Sequence, residues 1–248
     1  MKKIKLSGFI VVRNEEKNIE RCLRSLDFCD EIIVVDQEST DKTVKIARKY
    51  TKNIYHDKCW GYADPSRKLG ASKCKGRWIL NLDADEEITN PLKLEILDAI
   101  KKNTADAYYI HREIYFLEKK IVCVSETDYV LRLHKKNTVT YVSNIHVCVI
   151  PKKNIIIKKL KESMNHYATT SIKQALEKIR RYAKIQAKTD KKYNSFPRKY
   201  FGIFYTPIYY FVYIYFIKKG FLNGQNGFIY ACMDFYYQIL IYRYLWFK

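Results

Sequence analysis

Acidic residues are nearly missing from the C-terminal part of this chain. Residues 151–248 hold 4 Asp+Glu against 19 Lys+Arg, whereas residues 1–150 hold 22 against 27. Such asymmetry points to a near-neutral catalytic body joined to a segment that meets an anionic surface, phospholipid or nucleic acid. The seven cysteines contain no Cys-x-x-Cys pair, which argues against a zinc or disulfide framework and for small core residues in a reducing compartment. No small-residue cleavage site follows the apolar run Leu6–Val12, which runs instead into Arg13-Asn14-Glu15-Glu16 and reads as a first strand, not a signal peptide. There is no internal repeat and no low-complexity linker. What is abundant is aromatic: 22 Tyr and 12 Phe, crowded into the C-terminal third. With 48% apolar and 29% charged residues in 248, the chain is globular and long enough for a full core.

Hydrophobic periodicity organises the first hundred residues. Leu6–Val12 and Glu31–Asp36 are buried-type strands, with a helix over Glu15–Leu26 between them. Ser39 and Thr40 are placed to cap a helix carrying Val44, Ala47 and Tyr50, and Asn53–His56 reads as a short third strand. A helix from Pro65 ends at Gly76, Arg77–Leu82 is a fourth strand, and Pro91–Lys101 a helix after it. Short apolar strands alternating with amphipathic helices predict parallel βαβ units in an α/β sheet. Beyond Ala107 the pattern changes to short β-type runs: Ala107–Ile110, Ile121–Val124, Tyr129–Leu133 and His146–Ile150. Ser171–Thr189 then reads as a basic helix and Tyr200–Ile217 as an apolar aromatic run. Three divisions result: residues 1–105, 106–168 and a helical basic region 169–248.

In open α/β sheets, ligands gather outside the C-terminal ends of the strands. Polar groups fall at three such ends here: Arg13-Asn14-Glu15, Asp36, and Asp83 with Asp85. Asp36 stands beside a helix N-terminus, where its carboxylate can accept hydrogen bonds from a ribose or a pyrimidine edge. Asp83 and Asp85 are one residue apart, so an extended backbone aims both to one side. That pair suits a hard cation, Mg2+ or Mn2+, which takes oxygen ligands and leaves positions open for phosphate. The same acids, with Glu86 and Glu87, also suit an acidic turn at a helix start.

Taken in order, Phe9-Ile-Val-Val-Arg-Asn-Glu15, Ile32-Ile-Val-Val-Asp36-x-x-Ser39-Thr40-Asp41-x-Thr43 and Trp78-Ile-Leu-x-Leu-Asp83-Ala-Asp85-Glu86 resemble the successive motifs of family 2 glycosyltransferases. The nearer resemblance is to the branch of lipopolysaccharide-core β-1,4-glucosyltransferases, over residues 4–100. It implies a GT-A (Rossmann-like) fold: a mixed, mainly parallel sheet with flanking helices. It also implies a nucleotide-sugar donor, UDP-sugar favoured, and inversion at the anomeric carbon. By the same resemblance Glu15 and Asp36 belong to the donor's nucleoside side, Asn14 also binds the donor, Asp83 and Asp85 surround a metal-bound diphosphate, and Arg67 approaches the donor. Arg67 is followed by Lys68 where the family often has Asn; it reads equally as a solvated helix-start arginine. Inversion needs a base for the acceptor hydroxyl. Where the branch commonly shows Val-His-Glu, this chain has Ile145-His146-Val147, so Asp128 becomes the favoured base and Glu126 the second choice. His146 and His166 are available as late metal or diphosphate ligands, or as structural histidines.

Tyr200–Ile217 is 18 residues, near the lower limit for a spanning helix, yet it holds six tyrosines and a central Pro207. Tyrosine prefers the headgroup level, so an interfacial segment flanked by Arg198, Lys199, Lys218 and Lys219 is expected, with a pair of core helices as the other reading. The expected location is cytoplasmic, peripheral at the inner face of the membrane, where a lipopolysaccharide-type or lipid-linked acceptor is found. Gly220-Phe-Leu-Asn-Gly224 resembles a Gly-Phe-Leu-Asp-Gly turn of the same branch. Two rival functions differ in class. A nucleotidyltransferase lacks support because no Gly-rich phosphate loop follows the first strand. A nucleic-acid-binding protein would explain the net charge of +20 but has no recognition module here.

Overall fold

The computed structural model describes residues 5–122, 128–144, 147–169, 171–189 and 198–246. It divides into two compact units, Met1–Arg112 with Tyr129–His166 and Glu113–Asp128 with Tyr167–Lys248. Strands β1 (Leu6–Val12), β2 (Glu31–Asp36), β3 (Ile54–His56) and β4 (Trp78–Asp83) alternate with helices α1 (Ile19–Ser25), α2 (Thr43–Ala47) and α3 (Asp64–Lys73). After β4 come β5 (Glu86–Glu87) and helix α4 (Asn90–Lys102). The later strands are β6 (Ala107–Phe116), β7 (Lys119–Lys120), β8 (Tyr129–Lys135), β9 (Val139–Asn144), β10 (Val147–Pro151) and β11 (Ile157–Thr169).

Nine of these form one sheet in the order β3-β2-β1-β4-β8-β6-β11-β5, with β7 paired to β6; β9 and β10 form a separate hairpin. The β3-β2-β1-β4 portion is parallel, and β8 joins β4 antiparallel. The expected α/β architecture is therefore present. All seven residues of β1 are buried, because helices cover both faces of the parallel part. Alternate side chains serve alternate faces. Ile10 and Val12 join the core formed with Leu23 of α1 and Leu92 and Ile96 of α4, while Phe9 and Val11 join Ile33, Val35 and Ile79 on the other side, where Leu69 of α3 packs. Gly70 sets how closely α3 lies on β1: a Cβ there would stand 2.6 Å from the Phe9 ring.

Several local expectations are corrected. Helix α3 stops at Lys73, where Cys74 turns extended, so Gly76 is no helix cap; a Cβ on Gly76 would stand 2.7 Å from the Ser7 nitrogen. Ser39 and Thr40 do not cap α2, whose first N–H at Thr43 is accepted by the Asp41 carboxylate at 2.9 Å. Ile121 and Val122 are not in a strand. The segment that pairs with β6 is Lys119–Lys120, across a turn in which Leu117 and Glu118 both take positive φ (49° and 63°). Strand β11 had no expectation attached to it at all.

Beyond β11 the described residues of the second unit are helical or in turns. Helix α5 (Ile172–Thr189) packs Ala183 and Ala187 against Leu240, Ile241 and Tyr242 of α7 (Gly224–Trp246). Between them, α6 (Arg198–Val212) runs on into a π-type turn over Tyr213–Ile217 and a 3-10 turn over Gly220–Asn223. The turn expected at Gly220–Gly224 is present, with α7 begun at Gly224.

Candidate active site

The parallel registers bring the first two polar strand ends level. Val12 of β1 pairs with Asp36 of β2, and Val11 pairs with Asp83 of β4. The two carboxylates therefore flank the end of β1, at the point where the strand order changes direction and α/β sheets bind ligands.

The loop after β1 is laced to the loop after β2. Asn14, at φ 54°, donates its N–H to Ser39 Oγ (3.0 Å) and accepts the Thr40 N–H on Oδ1 (2.8 Å). Glu15 donates its N–H to Thr43 Oγ1 (2.8 Å), and its carboxylate accepts from Asn18 Nδ2 (2.9 Å). Lys42 N–H goes to Glu16 Oε2 (3.1 Å). The Ser39-Thr40-Asp41-x-Thr43 motif thus serves to hold two loops together. Asp36 itself is 3% exposed; it accepts the Ser39 N–H (3.2 Å) and lies 3.2 Å from His56 Nδ1. Beside it, buried Gln37 donates to Ser66 Oγ (2.6 Å), which donates to Asp57 (2.7 Å).

On the other flank, Asp83 is held by two guanidiniums. Arg67 Nη2 meets its Oδ1 and Arg132 Nη2 its Oδ2. Arg67 is not a solvated helix-start residue: it is 4% exposed, and it also donates to Asp64 Oδ1 (3.0 Å) and Asn81 Oδ1 (2.8 Å). Arg132 additionally reaches Glu86 Oε1 at 2.6 Å, and Arg112 reaches the same oxygen at 3.4 Å. Glu86 is fully buried and accepts the Asp83 N–H at 2.9 Å, so it is no helix-start acid. Burial alone would raise the Asp83 carboxyl. Arg132 and then Arg67 outweigh it and hold Asp83 well below the usual carboxylate range. Burial pushes the nearby Cys22 thiol well up, which makes it an inert core group.

Asp85 faces a histidine. Strand β5 pairs with β11 through Glu86–His166, and this sets His166 Nε2 3.5 Å from Asp85 Oδ2. The His166 Nδ1 is buried without a hydrogen-bond partner among the described residues. Among the described residues no three acidic, histidine or cysteine side chains form a ready-made metal cage. The donor set that fits a cation is one carboxylate and one imidazole, Asp85 and His166, leaving its other positions to phosphate oxygens and water. Asp83 has both oxygens on arginines. Asp128 stands half-buried at the entry to β8. Glu126 and His146 lie outside the described residues. Sequence reasoning missed Arg132, Glu86, Arg112 and His56. The signal for Arg132 was a lone arginine inside the apolar run Val130–Leu133.

A model of Glycosyl transferase family 2 matches residues 7–150. An uncharacterized glycosyltransferase of Rickettsia bellii is 32% identical over 242 residues, covering 91% of this chain and 80% of its own length. LpsC of Rhizobium meliloti, a lipopolysaccharide core biosynthesis glycosyltransferase, is 27% identical over 248 residues, covering 96% of this chain and 90% of its own. The crystal structure of S. aureus TarS 1–349 in complex with UDP superposes with a TM-score of 0.50 at 17% identity, over 99% of this chain and 92% of that one. That likeness is one of fold, the GT-A arrangement.

Proposed function

This chain belongs to glycosyl transferase family 2 and is a glycosyltransferase; on that premise we propose that it moves a hexosyl group, with inversion, from a nucleotide-diphosphate sugar to a lipopolysaccharide-type or lipid-linked glycan. The observation that carries the donor reading is the level register of Asp36 and Asp83 on either side of the β1 end. UDP is the ligand of TarS, whose fold is similar, so a UDP-sugar is favoured. The acceptor class is supported by the name of the Rhizobium relative.

Asp36, braced by the Ser39 N–H, accepts a hydrogen bond from the nucleoside. Arg67 and Arg132 supply the positive charge beside the diphosphate, a geometry that guanidinium forks suit. Asp85 with His166 would hold Mg2+ or Mn2+. Bound there, the cation would offset the charge that develops on the leaving diphosphate. Asp128 takes the acceptor proton, with Glu126 as the second choice, because Val147 stands where the related branch carries Glu.

Thermal-shift screening of nucleotide-sugars with and without Mn2+ tests this. A donor at 100 times its Kd should add about 2.7 kcal/mol to the folded state. Asp36→Ala should lose the shift, Asp85→Ala should lose the Mn2+-dependent turnover, and Asp128→Asn should lower kcat by ~100-fold or more. No shift with any nucleotide-sugar sinks the donor reading, and undiminished turnover by Asp85→Ala sinks the metal site.

A further inference from the structure

We propose that the second unit docks on an anionic phospholipid surface through the outward face of α6 and the turn that follows it. Helix α6 is turned inside out by the standard of a soluble helix. It meets α7 with its small side chains: Gly202 and Thr206 are buried, and Thr206 Oγ1 lies 3.0 Å from Tyr242 Oη. Tyr242 lies where any Gly202 side chain would stand. Ile203 packs there too, but other large apolar residues face away. Phe204 (70% exposed), Ile208 (58%), Val212 (41%) and Phe216 (55%) recur every four residues along one side, and Ile217 (66%) and Leu222 (71%) continue the patch. Single exposed apolar residues are ordinary, but a continuous stripe marks an interaction surface.

Charge and aromatic character identify the occupant. Residues 169–248 carry 14 Lys+Arg against 3 Asp+Glu, and no acid occurs between Arg198 and Met233. Lys218 and exposed Lys219 close the stripe. Half-exposed Tyr205 and Tyr209 flank it, the side chains that favour headgroup depth. A second copy of this chain would bring one basic rim against another, which like charges oppose, whereas an anionic leaflet neutralises it. An open apolar groove of about 260 Å³, lined by Leu176, Ile229, Met233 and Phe228 among others, lies on the same unit. Phe228 packs edge-on against Phe211 and Tyr215, which lie in α6 and in the turn that follows it, so the groove adds apolar surface next to that segment. No described helix is long and apolar enough to cross a membrane, which fits a helix lying in the interface plane.

This deepens the proposed acceptor class without depending on the transfer reaction. The test is sedimentation of the full chain with vesicles of phosphatidylglycerol and phosphatidylcholine, against phosphatidylcholine alone. The expected result is binding to the anionic vesicles at low salt, at least ten-fold weaker binding to neutral ones, and weakening at 1 M salt, where the screening length is ~3 Å. Phe204→Gln with Ile208→Gln and Val212→Gln should lower partitioning at least ten-fold while circular dichroism stays unchanged. If that variant is misfolded, Lys218→Gln with Lys219→Gln carries the test, with a several-fold loss expected at low salt. No sedimentation at low salt overturns the inference, as does unchanged binding by a folded variant. A dimer in solution that the triple variant dissolves, with vesicles ignored, assigns the face to a second copy and also overturns it. Donor hydrolysis without vesicles, read on the same proteins, reports separately on the transferase reading.

Discussion

Arg132 shows how much one side chain organises here. It is 2% exposed and touches both Asp83 and Glu86, two carboxylates that would otherwise repel each other at close range. A buried ion pair adds little net stability against an apolar replacement, but removing one partner leaves uncompensated charge, at a cost of roughly 3–5 kcal/mol. Arg132→Ala should therefore destabilise by about that amount in chemical denaturation, and Arg132→Lys should recover only part, since a compact, strongly hydrated ammonium costs more to bury than a guanidinium. A loss under about 1 kcal/mol would show that the network is not what holds Asp83. The acid motif marked Asp83 in the sequence. That two arginines from α3 and β8 hold it was not legible, because neither is near Asp83 in the chain.

At the scale of elements, α3 carries Arg67 to its place, and Gly70 fixes the distance. Replacing Gly by Ala in a helix normally gains up to about 1 kcal/mol. At Gly70 the added Cβ would press on the ring of fully buried Phe9, and overpacking a tight core costs roughly 1–3 kcal/mol. The second effect should win. Gly70→Ala is expected to lower Tm and, by lifting α3, to weaken donor affinity through Arg67, as calorimetry can measure. A more stable variant would mean that α3 adjusts freely and does not position the guanidinium. The boundaries of β1, β2, β4 and α4 were readable to within a residue or two, since each is a compact apolar or amphipathic pattern. Strand β11 was not. Its apolar positions Ile157, Leu160 and Met164 are spaced as on a helix, with lysines between, and only the pairing partners on either side make it extended.

For the whole molecule, one buried group in each unit responds to acid with opposite sign. In the first, burial disfavours the His134 imidazolium and brings it down to about 4; the neutral ring is satisfied at both nitrogens, by the Lys135 carbonyl (2.8 Å) and the Tyr141 hydroxyl (2.7 Å). Between pH 6.5 and 4 the unfolded chain takes up a proton that the folded chain refuses, so this contribution falls as pH falls, by roughly 3 kcal/mol at ~1.4 kcal/mol per unit. In the second unit, burial pushes the Asp234 carboxyl up to about 6. Between pH 4 and 6 the folded state holds a proton the unfolded state has lost, so that contribution falls as pH rises. Depressed Asp83 enters only below its unfolded value, near pH 4, and leaves this window untouched. His134→Gln should therefore make denaturation stability rise on going from pH 6.5 to 4.5, and Asp234→Asn should make it fall more steeply than in the parent. Parallel slopes in the two variants would contradict the assignment.

The sequence by itself determined the parallel α/β half, the polar strand ends and the family, because strands buried on both faces leave unbroken apolar runs whose ends are visible as the first charges. It also determined that the last eighty residues are basic and aromatic. Tertiary structure alone decided the rest. The long-range ladder β4-β8 brings Arg132 to Asp83, the pairing of β5 with β11 brings His166 to Asp85, and the fit of Gly202 and Thr206 to Tyr242 selects which side of α6 is covered. A local pattern records how much of a segment is buried. It carries no record of what the segment is buried against, and for a helix as rich in apolar and aromatic residues as α6 it does not even say which face.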